Sequence, residues 1–592
     1  MDIGQDEAQL VLQHKKDQFR VEIRKKKTDS LIQQKRLKLF NKNLTNLDSF
    51  SDADNSKSDQ NTTQDPQNNI LSQQQIQQQQ VSTLDVQVIR DIESRLLQCQ
   101  KDNNIEQMRS ILIQLVKIVG TYPSPINQMF MTSLPKFVIS IVNKHGPVND
   151  PKCKNYAAHI LANLTAGTPM QLQELFQLDL IHILIEQIQS KDVELADHVI
   201  WAFNNVLIDN HQPENLVRIF QERPLIIEDL CYYFTTSCNN PNIQFQLISS
   251  VILSIYCLSR IHKTTQSYYN QLRIAIPYLA KLLDVHHPKE PNTVINSMSS
   301  LPNKNKSMIL SNNSNQNQMN SENCKPTNLQ STNSNIQKSD QQVKQKFLCS
   351  VDLKMCALII TDLSEGDPRV ISDMLKIQVD RIMLRYLEQG IDVNEHFLTF
   401  VIRTLANMSS GNEFQTDQLL QKDIYSYLNR FLEHPKEQIR KDVCWLISNL
   451  SAGNASQIDV FLNKNMLQTL IQRLNVEQSI HVKKEILFAL SNATAQATKE
   501  QINKMVSNGL LRVFSDNLDP QYETELLIEI LEGIENVMML GRSDDLNNNQ
   551  NAYSHEFEGS GCQRKIQYLY YQKSDQTVVE ISDRILRSYG TN

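Results

Sequence analysis

From about Val86 onward the apolar residues of this chain recur every three or four positions, the period of helices that bury one face. Ile89, Ile92, Leu96 and Leu97 begin the pattern. Three stretches break it: 41–85, 286–345 and 543–562 are crowded with Asn, Ser, Gln and Asp, and the first contains Gln73-Gln-Gln-Ile-Gln-Gln-Gln-Gln80. Segments with so little apolar surface cannot offset their ordering entropy, so the first is expected as a disordered linker, the second as a disordered insertion and the third as a polar loop. Inside the periodic stretches a short cassette returns. Asn163, Asn407 and Asn449 are each followed four residues later by a glycine, Gly167, Gly411 and Gly453. That spacing predicts a helix ending at a left-handed residue just past its last turn. The two tryptophans each precede an asparagine by four, Trp201 before Asn205 and Trp445 before Asn449, which sets each pair on one helical face.

The cassette has a period. Asn163 and Asn205 differ by 42 positions, Asn407 and Asn449 by 42, Asn449 and Asn492 by 43, and Asn492 and Asn536 by 44. A helical repeat of roughly 40 to 47 residues marks an armadillo or HEAT solenoid, in which no unit buries its apolar face alone and neighbours share one core. Repeats 1–4 are expected over 86–285, repeats 5–9 over 346–542 and a tenth over 563–592.

Composition removes other classes. With 14 glycines in 592 residues and 6% aromatics a sheet-rich fold is disfavoured. No run of 18 apolar residues and no apolar signal core at the amino terminus is present, so a soluble intracellular protein without membrane insertion is expected. The ten cysteines contain no C-x-x-C pair and read as reduced thiols in the core. Phosphate-loop, nucleophile-elbow and zinc-protease motifs are missing, and His286-His287 lacks further ligands; a binding protein without enzyme activity, cofactor or metal is expected. Charge is distributed unevenly. Residues 15–38 hold ten basic and three acidic side chains, +7, so the remainder of a chain of net −6 carries −6 − 7 = −13. A basic arm on an acidic body implies self-association, or an acidic partner for the arm and a basic one for the body.

For the arm, residues 1–40, a nucleic-acid patch, a membrane-surface helix and a peptide read by an acidic groove all remain open on composition. Its sequence is more particular. Arg20-Val21-Glu22-Ile23-Arg24-Lys25-Lys26-Lys27, then Asp29, Lys35, Arg36 and Lys38, resembles the importin-β-binding segment that opens importin-α proteins. The repeats resemble importin-α as well, which implies an all-α, right-handed armadillo-repeat superhelical solenoid of about ten repeats. In that family a concave ladder of Trp and Asn binds lysine-rich nuclear localisation signals.

Carried over by position, the first groove comprises Asn163, Gly167, Trp201, Asn205 and Asp209, with His159 in a tryptophan position and both members of the pair replaced at Leu253 and Cys257. The second comprises Arg403, Asn407, Gly411, Thr416, Trp445, Asn449, Glu485, Phe488 and Asn492, the better preserved of the two. The implied partners are importin-β on the arm, cargo proteins with basic signals in the groove and an exportin for recycling, without direct nucleic-acid binding. The implied location is cytoplasm and nucleus, with the arm competing for the groove as a mimic of cargo. The alternatives are a cytoplasmic armadillo scaffold of the catenin kind, whose groove is lysine-rich, and a divergent adaptor with restricted cargo.

Overall fold

The structure is a computed structural model that describes residues 70–119, 125–208, 213–236, 241–259, 269–285, 350–365, 368–389, 394–542, 551–572 and 575–588. The arm residues Arg20 to Lys38, Asp209, and the insertion lie outside them. The chain forms two units, Met1–Val81 and Ser82–Asn592. What is described of the first is helical, residues 70–81, the start of the helix Ile70–Lys101; the repeats below belong to the second.

Every regular element among the described residues is a helix, and one helix in each repeat packs on its counterpart in the next. These ladder helices are α1 (Ile105–Val119), α2 (Pro151–Leu164), α3 (Val193–Ile208), α4 (Pro241–Ser259) and α5 (Ser350–Leu363). They continue as α6 (Glu395–Ser409), α7 (Glu437–Ser451), α8 (Ile480–Ala495), α9 (Thr524–Leu540) and α10 (Gln576–Ser588). The apolar stripe read from the sequence becomes one core running from Ile89 to Ile585. Shorter helices lie beside each ladder helix and complete the repeat.

Local chemistry explains where those shorter helices start. Thr168, Asn412, Asn454 and Thr498 each accept a hydrogen bond from the backbone N–H of the glutamine three residues on, and that glutamine's side chain bonds back to the cap. These are capping boxes, which satisfy helix N–H groups that have no carbonyl in the helix. The same glutamines reach further. Gln171 Nε2 donates to Asn127 Oδ1 at 2.8 Å, Gln415 Nε2 to Pro368 O at 2.8 Å, Gln457 Nε2 to Asp417 Oδ1 at 2.7 Å and Gln501 Nε2 to Asp459 Oδ1 at 2.7 Å, each in the repeat before. Each of these four side chains therefore both starts a helix and staples two repeats.

The folded-back glutamine corrects one expectation. Gly167, Gly411 and Gly453 are not left-handed; among the described glycines only Gly509 and Gly561 have positive φ. They stand just before the caps, and a β-carbon there would run into Oε1 of Gln171, Gln415 or Gln457. Space for the staple, not backbone sign, selects glycine. Five of the left-handed residues, Asp179, Gln378, Asp423, Asn465 and Gly509, sit instead immediately before the second short helix of a repeat; the others described are Asn103, Lys191 and Gly561.

Two segment boundaries also move. The first helix runs Ile70–Lys101, so residues 70–85 of the expected linker are helical; glutamine has good helix propensity and extends a helix whose apolar face begins downstream. Within the expected polar loop Ser554–Gly559 is a helix that buries Phe557 completely, with Tyr553 buried at its start, and it belongs to the closing repeat. Two aromatics in a polar context carried that anchor.

Between α7 and α8 a buried carboxylate fixes the corner. Glu477 accepts from Arg440 at 2.9 Å and Arg473 at 2.6 Å; burial pushes its carboxyl up, but these bonds and the Ser479 N–H prevail and hold it at about 2.

Replacing Gln457 with Ala removes the reciprocal half of the capping box and two cross-repeat bonds together. The denaturation midpoint of the variant is expected to fall by the equivalent of about 2 kcal/mol, roughly one unit per function lost, as read from urea titration monitored by circular dichroism.

Candidate functional site

The last four carbonyls of a helix have no N–H within it to accept from. In this protein a hydroxyl three residues on and an amide of the following repeat both supply donors. Asn205 Nδ2 donates to Ala162 O at 2.9 Å and to Thr165 Oγ1 at 3.1 Å. Asn407 Nδ2 donates to Thr361 O at 3.2 Å and Ser364 Oγ at 2.8 Å, and Asn449 Nδ2 to Ala406 O at 2.9 Å. Asn492 Nδ2 donates to Ser448 O at 3.2 Å and Ser448 Oγ at 3.0 Å, and Asn536 Nδ2 to Thr494 Oγ1 at 3.1 Å. Asn163 is the exception, bonding His159 O in its own helix at 3.0 Å. The amide nitrogens thus align the ladder helices in a common register.

Asn163, Asn205, Asn449 and Asn492 are half-buried, whereas Asn407 is only 1% exposed and its Oδ1 has no hydrogen-bond partner. Four residues earlier in the same register stand His159, Trp201, Leu253, Leu358, Arg403, Trp445 and Phe488. Trp201 is 43% exposed; Trp445 and Phe488 are half-buried against the core. A third register, three residues before these, holds Tyr156, His198, Asp442 and Glu485 in repeats 2, 3, 7 and 8.

The structure joins the second and third registers across repeats. Arg403 Nε donates to Asp442 Oδ2 at 2.9 Å, and Gln438 Nε2 to Asp442 Oδ1 at 2.8 Å, with the Asp442 side chain 5% exposed. In the same geometric relation, the rings of His159 and His198 meet edge to face with centroids 4.5 Å apart. Burial pushes the His159 imidazole down; burial, then repulsion from His159, pushes His198 down to about 4. Both are neutral at pH 7. Asp197 beside them is pushed up to about 6 by burial. Thr416 is buried and its hydroxyl donates to Ser409 O at 3.2 Å and Asn412 O at 3.3 Å, while Gly411 is half-buried close by.

Sequence reasoning named Glu485 but passed over Asp442 and His198. The signal was available: each stands three residues before an aromatic of the ladder, as Glu485 does before Phe488. The residues of the second groove, from Arg403 to Asn492, lie on three consecutive helices, α6, α7 and α8, with Gly411 and Thr416 at the first turn after α6. Those of the first groove lie on α2 and α3, apart from Gly167, just past the end of α2, and Asp209, outside the described residues. Chemically the ladder offers amide oxygens as acceptors, aromatic faces, and carboxylates at one end. It is suited to an extended chain with cationic side chains.

No protein-family model matches the chain. It is 27% identical over 224 residues to importin subunit alpha-8 of Arabidopsis thaliana, covering 38% of this chain and 50% of that protein. To importin subunit alpha-5 of Arabidopsis thaliana it is 30% identical over 152 residues, 26% of this chain and 29% of that protein. To importin subunit alpha-1 of Caenorhabditis elegans it is 23% identical over 159 residues, 27% and 30% respectively. The chain thus spans half or less of the length of these curated relatives. In fold it is similar to the crystal structure of an engineered protein, with a TM-score of 0.54 and 15% identity over 85% of this chain and 99% of that one. A designed armadillo repeat protein aligns at a TM-score of 0.36 and 20% identity over 41% of this chain and 94% of that one.

His198 has a folded value near 4 against an ordinary 6.5, so the unfolded chain takes up this proton first. Its contribution to stability is complete above about 6.5 and is lost as pH falls toward 4. Proton NMR of the imidazole signals is expected to give a His198 midpoint near 4, and His198→Phe to remove that part of the acid sensitivity of thermal unfolding.

Proposed function

This is an importin-α-like armadillo-repeat chain, and we propose that it is a nuclear import adaptor. It binds lysine-rich nuclear localisation signals on the ladder and is linked to importin-β by its basic amino-terminal arm. The observation that carries the reading is the second groove: on α6, α7 and α8 the asparagine register is unbroken, Trp445 and Phe488 follow each other in the aromatic register, and Asp442 and Glu485 stand beside them.

Each part has a task. Asparagine Oδ1 atoms accept from the N–H groups of an extended peptide whatever its side chains are, since the amide nitrogens are engaged in aligning the repeats. Aromatic faces cover the aliphatic stems of Lys or Arg, and cation–π attraction adds about 0.5 to 2 kcal/mol per contact. The carboxylates select the cationic tip. Arg403 holds the place at Asp442 that a ligand cation competes for. A groove with acids beside the ladder distinguishes this reading from a catenin-like scaffold, whose groove carries lysines.

The His159–His198 contact and the ladder substitutions at Leu253 and Cys257 favour a narrower form of the same reading, an adaptor with restricted cargo that relies on the second groove. Shuttling between cytoplasm and nucleus, with an exportin returning the empty adaptor, is part of the proposal. So is competition between cargo and Lys35, Arg36 and Lys38 of the arm.

Fluorescence-anisotropy titration of a labelled K-K-x-K peptide into the full chain and into residues 86–592 tests it. The shorter chain is expected to bind more tightly, and Trp445→Ala to weaken binding about tenfold. Absence of binding by either chain sinks the adaptor reading and leaves the scaffold.

A further inference from the structure

The ladder is interrupted at two adjacent repeats, and in two registers at once. On α4 and α5 the asparagine positions hold Cys257 and Asp362, and the tryptophan positions hold Leu253 and Leu358. The register that carries Asp442 and Glu485 in repeats 7 and 8 carries Met355 on α5 and Phe400 on α6. Leu253, Met355, Leu358 and Phe400 are all half-buried, as Trp445 and Phe488 are. Their register is fixed by hydrogen bonds between helices. Ser249 Oγ donates to Asp352 Oδ2 at 2.8 Å, Thr361 Oγ1 to Phe400 O at 3.1 Å, and the Thr361 and Thr404 hydroxyls meet at 2.9 Å. The apolar positions therefore follow one another over α4, α5 and α6 and run directly into the helices that hold Arg403, Trp445 and Phe488.

A lysine carried over this floor would leave water and meet neither an indole face nor, in the third register, a carboxylate; an apolar side chain would gain by the same move. The loss of both asparagines means that this stretch holds a ligand by side chain rather than by backbone. We propose that the floor is a binding subsite for one apolar side chain of the same extended partner segment that sets its lysines against Trp445 and Phe488. The chain then selects a basic cluster joined to an apolar anchor. The inference rests on the peptide-binding reading above, and two observations say what covers the floor: it is continuous with the second groove, and the acids Asp442 and Glu485 lie at that end alone of this stretch of the third register.

Geometry sets the spacing. Packed helices stand 8–10 Å apart and an extended chain advances about 3.3 Å per residue, so one repeat corresponds to about three residues. From the Trp445 and Phe488 pair to Leu358 and Phe400 is two repeats, or about six residues of ligand.

The test keeps the protein intact and varies the probe. Labelled peptides with a K-K-x-K cluster, a six-residue Ser/Gly/Thr spacer and a terminal Leu or Ser are titrated into the full chain, with the anchor placed before the cluster in one set and after it in another. In one of the two orders the Leu peptide is expected to bind about tenfold more tightly than its Ser counterpart. Leu358→Ser is expected to abolish that ratio while leaving the Ser peptide unchanged, and Trp445→Ala to weaken both peptides equally and leave the ratio intact. Equal affinity of Leu and Ser peptides in both orders, with K-K-x-K still bound, overturns the subsite and leaves the adaptor reading standing. No binding of any of the peptides overturns both.

Discussion

The fold depends on side-chain amides that donate across the gap between repeats. A solenoid of short helices multiplies the problem of helix ends, since every repeat leaves carbonyls without an intrahelical donor. Here asparagine nitrogens from the next repeat reach Ala162, Thr361, Ala406 and Ser448. Glutamine nitrogens make a second set of bonds between repeats, on Pro368 O, Glu413 O and Ala455 O at the first residues of the preceding short helices. Apolar packing supplies most of the energy of such a fold, but packing of leucines alone permits sliding. Directional bonds fix the register, and register is what lines up Trp445 with Phe488 and Asp442 with Glu485.

The same atoms thus have two duties. With nitrogen engaged in the scaffold, the half-buried asparagines of the ladder keep an oxygen that the scaffold does not use, while the unpartnered Oδ1 of Asn407 is itself buried. Where the asparagine is replaced, as by Cys257 and Asp362, the aromatic neighbour is replaced too. Aligned replacement in two registers is what separates a groove with distinct segments from one that has simply decayed.

Much of this was legible in the sequence, and for a physical reason. A helical repeat writes its period directly into the chain, so the W-x-x-x-N pairs and the spacing of 42 to 44 residues pointed to the armadillo architecture, and the motifs of the arm and repeats resembled those of importin-α. What stayed hidden were relations between repeats. The role of Gly453 depends on where the Gln457 side chain folds, and the local pattern of a glycine after a helix pointed to a left-handed turn instead. Asp442 carried the spacing of a ladder acid, three residues before Trp445, but its bond to Arg403, 39 positions away, is a relation that spacing does not report. The helix at Ser554–Gly559 was masked by polar neighbours around Tyr553 and Phe557. Periodicity reports which face is buried; it is silent on which partner a polar group chooses.

The asparagine staples also have a direction. In those of Asn205, Asn407, Asn449 and Asn492 the acceptor carbonyl belongs to the earlier repeat and the donor to the later one, while Asn204 Nδ2 of α3 donates forward to Ser250 O of α4. The same four carbonyls also accept from a hydroxyl three residues on in their own repeat, those of Thr165, Ser364, Ser409 and Ser451, so each helix end is capped locally as well. The amide of the later repeat is thus a second donor at each of these carbonyls, and its loss unlinks two repeats without uncapping a helix; between α9 and α10 an ion pair makes the link. Here Arg584 of α10 closes on Glu535 through both carboxylate oxygens, at 2.6 and 2.9 Å.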